Sequence, residues 1–329
     1  MMHTVTPGLV SIIVASYNHA EYLDRRMESL ISQTYKNIEI IVIDDCSPDN
    51  SLQILRKYET NPKIKLIIRQ ENGGWVAVSN QGLEMSSGEF VIFANCDDEC
   101  DHQLIEKLIG GMHKYPTAGI SYCRSLLIDE NNRILGNDFS IREKAFRLKC
   151  VNDTLLTQKE MGRFLLHSCV IPNLSAALFR KAAFSNVGGL TSSYRVCSDW
   201  DLFFRIVSCY DVAYIAAPLN KFRQHCTTIR SSTKDRVIYE EYIRLLLGKI
   251  KVLNLSLIEK ARYRTRVMYL WAIHILSPSL NVGINFNYHV KNVIQIDPVA
   301  MAFLPIAILV RVAVLLRKLP SRLFSKIFI

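Results

Sequence analysis

The first hundred residues alternate short apolar runs with helical patterns, and no other feature restricts the fold as tightly. Residues 9–15 (LVSIIVA), 38–43 (IEIIVI), 64–68 (IKLII) and 90–94 (FVIFA) are too short for buried helices and rich in β-branched and aromatic side chains. They read as core strands. After the first run, Leu23, Met27, Leu30 and Ile31 recur at helical spacing with charges opposite. Ser47 and Asp49 precede a helix over 51–58, and the turn Asn72, Gly73, Gly74 precedes another over 76–85, closed by Ser86, Ser87 and Gly88. Strands alternating with helices at this spacing imply an α/β fold with a parallel sheet and right-handed crossovers.

In such a sheet, ligands bind beyond the carboxyl ends of the strands. The run 90–94 ends at Asp97 and Asp98. Two adjacent carboxylates repel each other unless a cation lies between them, and oxygen ligands suit Mg2+ or Mn2+, ions that bridge phosphates. The same pair would also serve as caps for a helix beginning near His102. There is no GxGxxG after the first strand and no GxxxxGK[ST] anywhere, so the dinucleotide and P-loop readings lack their phosphate cradles. Asp45, at the end of the second strand, can accept the ring N–H of uracil, thymine or guanine, whereas cytosine offers only an acceptor there. The pattern suits a nucleotide whose phosphates need a metal.

At 329 residues the chain can hold one large domain or two. Its nine cysteines form no CxxC and no zinc-type cluster, which favours a reducing compartment. The start lacks a basic stretch and a cleavage site of the signal-peptide kind. Charge is unevenly spread: residues 1–229 carry 24 Lys/Arg against 25 Asp/Glu, and residues 230–329 carry 16 against 5, net −1 and +11. Nucleic acid or an anionic membrane would both suit such a basic region.

Several segments together resemble one family. ASYN (15–18), IEIIVIDDCSPDNS (38–51), NGG with NQGLEMSSGEFVIF (72–93) and CDD (96–98) resemble the nucleotide-binding half of family-2 glycosyltransferases of the GT-A fold. NLSAALFRKAAFSNVGGL (173–190), SDWDLFFR (198–205) and FRQH (222–225) continue the resemblance, in the family's order, over about the first 230 residues. It implies a Rossmann-like, mostly parallel sheet flanked by helices. The implied division is a transferase domain over 1–230, with a nucleotide-binding half (1–120) and an acceptor-binding half (121–230), followed by a helical region over 231–329.

The resemblance also implies roles. Ala15, Tyr17 and Asp45 would hold the nucleotide of a sugar donor, UDP favoured. The family's metal motif, commonly D-x-D, here begins with Asn95, which can bond a ribose but brings no charge. The metal duty, for Mn2+ or Mg2+, therefore falls on Asp97 and Asp98, with Asp98 as the direct ligand and Asp97 nearer the ribose. Asp199 matches the general base, preceded by Ser198 where Glu is common. A base is needed because a sugar hydroxyl is a poor nucleophile until its proton is taken. Asp201 is the fallback base, and an N-cap is the structural alternative for Asp199. His225 stands where relatives place a histidine near the metal or diphosphate, although a lone histidine also serves structural ends. Trp200 would line the acceptor groove or belong to the core.

The expected reaction is an inverting transfer to a glycan or lipid-linked glycan in bacterial polysaccharide or lipopolysaccharide assembly. The alternative, encouraged by Asn95 and Ser198, is a non-catalytic membrane-docked assembly module. The tail bears on both. Residues 237–252 and 257–276 read as basic helices, and residues 299–316 are almost wholly apolar apart from Arg311, with Pro305 interrupting them. That run is marginal for a membrane span, and a central Arg costs about 2.5–3.5 kcal/mol on insertion scales. With the acid-free stretch that follows, it suits an interfacial segment on an anionic leaflet, at the inner face of the cell membrane, or a buried or oligomer-contacting helix. No nucleic-acid motif is present, so nucleic acid is not an expected partner.

Overall fold

The computed structural model describes residues 5–275 and 286–317. The chain divides into two compact units, one running to Tyr194 with Ser198–Thr228 and the other comprising Arg195–Cys197 with the chain from Ile229 onward.

The first unit opens with β1 (Thr6–Ser16), α1 (Ala20–Ile31), β2 (Ile38–Asp44), α2 (Ser51–Arg56), β3 (Ile64–Ile68), α3 (Trp75–Met85) and β4 (Gly88–Phe93). These strands lie in the order β3-β2-β1-β4, all parallel, in register at Ile12 with Ile40 and Ile13 with Phe93. Both faces of this half are covered, which is why its strands are continuous apolar runs and not alternating ones. Val10, Ile12 and Val14 pack with Leu23, Met27 and Leu30 of α1, while Ile41 and Ile43 pack with Val78 of α3. Burial of each such aliphatic side chain stabilises by about 1.5–3 kcal/mol. A Cβ on Gly82 of α3 would overlap Ile13, so glycine lets that helix lie close on β1.

The chain then adds β5 (Glu99–Cys100), α4 (Leu104–Lys114), β6 (Ala118–Ile128), β7 (Ile134–Asn137), α5 (Lys144–Lys149), β8 (Thr154–Leu156), α6 (Gln158–His167), β9 (Ala177–Arg180), α7 (Lys181–Asn186), α8 (Ser198–Val207) and β10 (Asp211–Arg223). The completed ten-stranded sheet runs β3-β2-β1-β4-β9-β6-β10-β5, with β7 on β6 and β8 on β10. Only the first half is uniformly parallel. β9 is antiparallel to both β4 and β6, and β5 is antiparallel to β10.

The second unit is helical: α9 (Ile229–Ser232), α10 (Asp235–Val252), α11 (Leu257–Ile275), α12 (Phe286–Ile296), a 3-10 helix (Pro298–Phe303) and α13 (Leu304–Arg317). α10 buries Leu245, Leu246, Leu247 and Ile250, and α11 buries Val267, Met268 and Trp271. Arg264 pairs with the buried Asp297 at 2.7 Å. Glu241, a buried acid on α10, accepts the backbone N–H groups of Arg195, Val196 and Cys197 at 2.6, 2.8 and 3.2 Å. The apolar run 299–316 is split between the 3-10 helix and α13, with Pro305 in the first turn of α13, where its missing N–H is not needed. Among the described residues no single helix is long and apolar enough to cross a membrane. Val299, Ile306, Leu309 and Val310 are exposed. The basic stretch expected beyond residue 317 lies outside the described residues.

Candidate functional site

β1, β2 and β4 end side by side. Ser16 is in register with Asp44, the Asp45 N–H donates to the Ser16 carbonyl at 2.9 Å, and the Ala94 N–H donates to the Ile13 carbonyl at 2.7 Å. β1 has β2 on one side and β4 on the other, so the chain reverses its direction of strand addition here, and a crevice opens at such a switch point. Three turns meet at this edge: residues 15–19, residues 44–49 and residues 95–98.

Ala15 is the penultimate residue of β1, and the turn that follows carries Tyr17 and His19. Tyr17 is exposed, and Asn18 takes a left-handed conformation (φ 55°), held by its N–H to the Ser47 hydroxyl at 3.2 Å. The first N–H of α1, at Ala20, donates to Asp49 at 2.9 Å, which ties this turn to the one after β2. Asp45 is buried, and its carboxylate accepts the N–H groups of Gly73 and Gly74 at 2.9 and 2.8 Å and pairs with Arg69 at 3.0 Å. The structure therefore places Asp45 at the crevice edge with Arg69 and the glycine turn as its partners.

The acidic pair after β4 separates. Asp98 is buried, and its oxygens accept from the Arg223 N–H at 3.0 Å and from the Asn173 and Asn95 amides at 2.7 and 3.4 Å. Burial, and then the neighbouring Asp97 charge, push its carboxyl above the usual range. Asp97 faces the other way: its Oδ2 lies 2.9 Å from His225 Nε2. Burial raises Asp97 too, but the bond from His225 and the charges of His19 and His225 outweigh it and hold the carboxyl below the usual range. The expectation that Asp98 meets a cation directly does not match this arrangement, because protein donors already take its oxygens. Asp97 is the carboxylate beside the histidines. One ring nitrogen each of His19 and His225 and one Asp97 oxygen lie within 4.8 Å of one another, a donor set that fits a divalent cation.

Sequence reasoning missed four residues that build this corner. Arg223, fully buried at the end of β10, donates through Nε to the Asp97 carbonyl at 2.7 Å and through Nη2 to Asn132 at 2.6 Å, and lies over the Tyr22 ring at 4.5 Å. It stations His225, two residues on, opposite Asp97. Asn173 links Asp98 to Asn220 and the 3-10 turn Leu174–Ala176. His19 completes the cluster. Arg26, on the helix whose charges the sequence places opposite the apolar stripe, is fully buried, and none of its side-chain nitrogens has a hydrogen-bond partner among the described residues. Its charge works against the upward shift of Asp98. Position 26 lies three after Leu23 and four before Leu30, so the helical spacing did signal the inward face.

Asp199 sits in the first turn of α8, half-buried, with Oδ1 accepting the Trp200 N–H at 2.7 Å. Asp201 is locked to Arg205 at 2.7 Å, and Arg205 is itself fastened to the carbonyls of Val187 and Gly189, so Asp201 is a structural partner. Trp200 is buried and stacks on Phe204, which places it in the core and not in a groove. The Ser198 hydroxyl donates to the carbonyls of Thr191 and Tyr194, at 2.9 and 2.6 Å, and so pins the loop ahead of Asp199.

Residues 11–188 match the family described as Glycosyl transferase family 2. The chain is a family-2 glycosyltransferase. Among curated relatives, this glycosyltransferase is 30% identical over 253 residues to an uncharacterized glycosyltransferase of Rickettsia typhi, spanning 77% of this chain and 74% of the other. It is 33% identical over 180 residues to glycosyltransferase GlyA of Streptococcus pneumoniae, spanning 53% of this chain and 25% of GlyA. In fold it resembles S. aureus TarS in complex with UDP-GlcNAc, with a TM-score of 0.66 at 19% identity, over 89% of this chain and 83% of that one. It also resembles the mannosyltransferase PcManGT of Pyrobaculum calidifontis in complex with GDP-Man and Mn2+, with a TM-score of 0.52 at 16% identity, over 96% and 83%. The GT-A-like α/β fold of this glycosyltransferase is thereby shown.

Proposed function

We propose that this glycosyltransferase is an inverting, divalent-cation-dependent enzyme that moves a sugar from a nucleoside-diphosphate donor, UDP favoured, to a glycan or lipid-linked glycan acceptor in polysaccharide or lipopolysaccharide synthesis. The carrying observation is the Asp97 carboxylate at the end of β4, 2.9 Å from His225 and next to the turns that bear Tyr17 and Asp45. The complexes of TarS with UDP-GlcNAc and of PcManGT with GDP-Man and Mn2+ support the donor class and the need for a cation. Asp97 and His225 would hold the cation, whose positive charge offsets that of the leaving diphosphate. Asp199 would take the proton of the acceptor hydroxyl as that oxygen attacks C1 from the face opposite the diphosphate, which inverts the anomeric centre. The acceptor oxygen thereby gains the sugar, and the diphosphate leaves with the bonding pair.

The second reading, a non-catalytic assembly module, draws on Asn95 and Ser198, which depart from the commoner motifs. Both residues have hydrogen-bonding duties in this fold, with Asn95 on Asp98 and Ser198 on the loop before α8. A panel of UDP-, GDP- and dTDP-sugars separates the readings. The enzyme releases nucleoside diphosphate from one of them only when Mn2+ or Mg2+ is added, and NMR of the transferred sugar shows the inverted anomer. Donor binding without release from any sugar favours the module, and a retained anomer contradicts the inverting mechanism.

The basic and apolar second unit supports attachment to the inner face of the cell membrane. Residues 230–329 carry the net charge of +11, and α13 exposes Ile306 and Leu309. Burial of such side chains in the headgroup boundary, added to attraction to anionic lipid, is how an interfacial helix is held.

A further inference from the structure

His19 is a third nitrogen- or oxygen-donor at the candidate cation site that no motif in the sequence announces. It stands at the N-terminus of α1, yet its side chain makes no capping bond there, so helix capping is not what its ring does in this chain. Its Nδ1 lies 2.7 Å from the backbone carbonyl of Tyr17. A carbonyl only accepts, so Nδ1 carries the hydrogen and, in the neutral ring, Nε2 carries the lone pair. That Nε2 is buried and has no hydrogen-bond partner among the described residues. A carbonyl bond on one ring nitrogen with the lone pair of the other turned inward is how metal-binding histidines are prepared. The ring also meets that of His225 edge-on at 5.4 Å, and a nitrogen of each lies within 4.8 Å of the Asp97 oxygen. Donors sharing one ion at about 2.1 Å stand about 3–4 Å apart, so small side-chain rotations close this cluster on a cation.

We infer that His19, through Nε2, is a direct ligand of the divalent cation, giving a site of two imidazoles and one carboxylate that selects transition-metal ions over Mg2+. The inference rests on the cation reading given above and adds to it a ligand and an ion preference. Carboxylate and water ligands accept Mg2+ readily, whereas imidazole favours the transition metals, with Mn2+ the weakest of that series and Co2+ and Zn2+ tighter. The expectation of Mn2+ or Mg2+ alike took the oxygens of Asp97 and Asp98 together with His225. Exchanging the Asp98 oxygen for the His19 nitrogen leaves one carboxylate and two imidazoles, which changes the chemistry of the site.

The test uses the full chain with Mn2+ and UDP as probes. Pulsed EPR counts the imidazole nitrogens coupled to Mn2+, and titration calorimetry compares Mn2+ with Mg2+. The expected result is two imidazoles in the wild type and one each in His19→Ala and His225→Ala, with Mn2+ affinity lowered at least tenfold in His19→Ala and its preference over Mg2+ reduced. One imidazole in the wild type, or two retained in His19→Ala, overturns the assignment of His19 while leaving the cation reading intact. Absence of any Mn2+ binding by the wild type in the presence of UDP overturns both. Because the wild-type count stands alone, the inference is decided even if His19→Ala fails to fold.

Discussion

Asp97 and Asp98 are neighbours in sequence, but the turn after β4 sends one toward His225 and the other into a shell of Asn173, Asn95 and the Arg223 backbone. Residue type alone could not tell them apart. Their surroundings do, because a buried carboxylate already satisfied by three donors has little left to offer a cation. The same test by surroundings separates Asp199 from Asp201, since Arg205 holds Asp201. For Asp199 we predict that Asp199→Asn keeps the shape and the Trp200 contact but cannot take a proton. Its kcat should fall by about two to four orders of magnitude, the usual worth of a positioned base. The affinity for UDP with Mn2+, measured by calorimetry, should stay within about twofold of the wild type. Near-normal turnover would assign the base elsewhere. Asp97, Asp199 and His225 were legible because each holds a position to which the family resemblance gives a role. Arg223 and Asn173 lie inside resembling strings too, but nothing in those strings says that they bond to the 97–98 turn, and His19 lies outside every string.

Elements were legible where one rule governed them. β1 to β4 stood out because a strand covered on both faces needs an unbroken apolar run, and the helices between them showed their inward stripes. The later sheet was not legible, because β9 slots antiparallel between β4 and β6 and is only four residues long. Loop 195–197 shows how one side chain can hold an element: Glu241 of α10 receives three successive backbone N–H groups. Removing that acceptor leaves buried donors unpaired, at about 1–3 kcal/mol for each group that water cannot reach. Glu241→Leu should therefore lower the unfolding free energy by about 2 kcal/mol or more in thermal or denaturant unfolding, and Glu241→Gln, which keeps one acceptor oxygen, by less. Equal effects of the two substitutions would show that the carboxylate's acceptor role is not what matters.

At the scale of the whole molecule, composition spoke clearly about charge and poorly about its use. The excess of basic residues after position 229 and the interruption at Pro305 were plain in the sequence, but the 3-10 character of Pro298–Phe303 ahead of α13 was not, because a 3-10 segment and an α-helix share the same apolar spelling. For the membrane proposal we predict that the protein floats with vesicles containing anionic lipid at low salt and that high salt weakens this, since surface charge is screened within about 10 Å at 0.1 M. The double substitution Ile306→Asp with Leu309→Asp, on exposed positions, should abolish flotation without lowering the melting temperature. Equal flotation with neutral vesicles, or full binding by the double variant, would contradict an electrostatic and apolar interface. The central claim, that Asp97 and its histidines receive a cation bridging to a diphosphate, has a more direct test. In crystals grown with UDP and Mn2+, diffraction above the manganese absorption edge should give an anomalous peak within bonding distance of the Asp97 carboxylate and His225, with the UDP phosphates on its far side. A peak at Asp98 instead, or none at this corner while UDP is bound, would contradict the account.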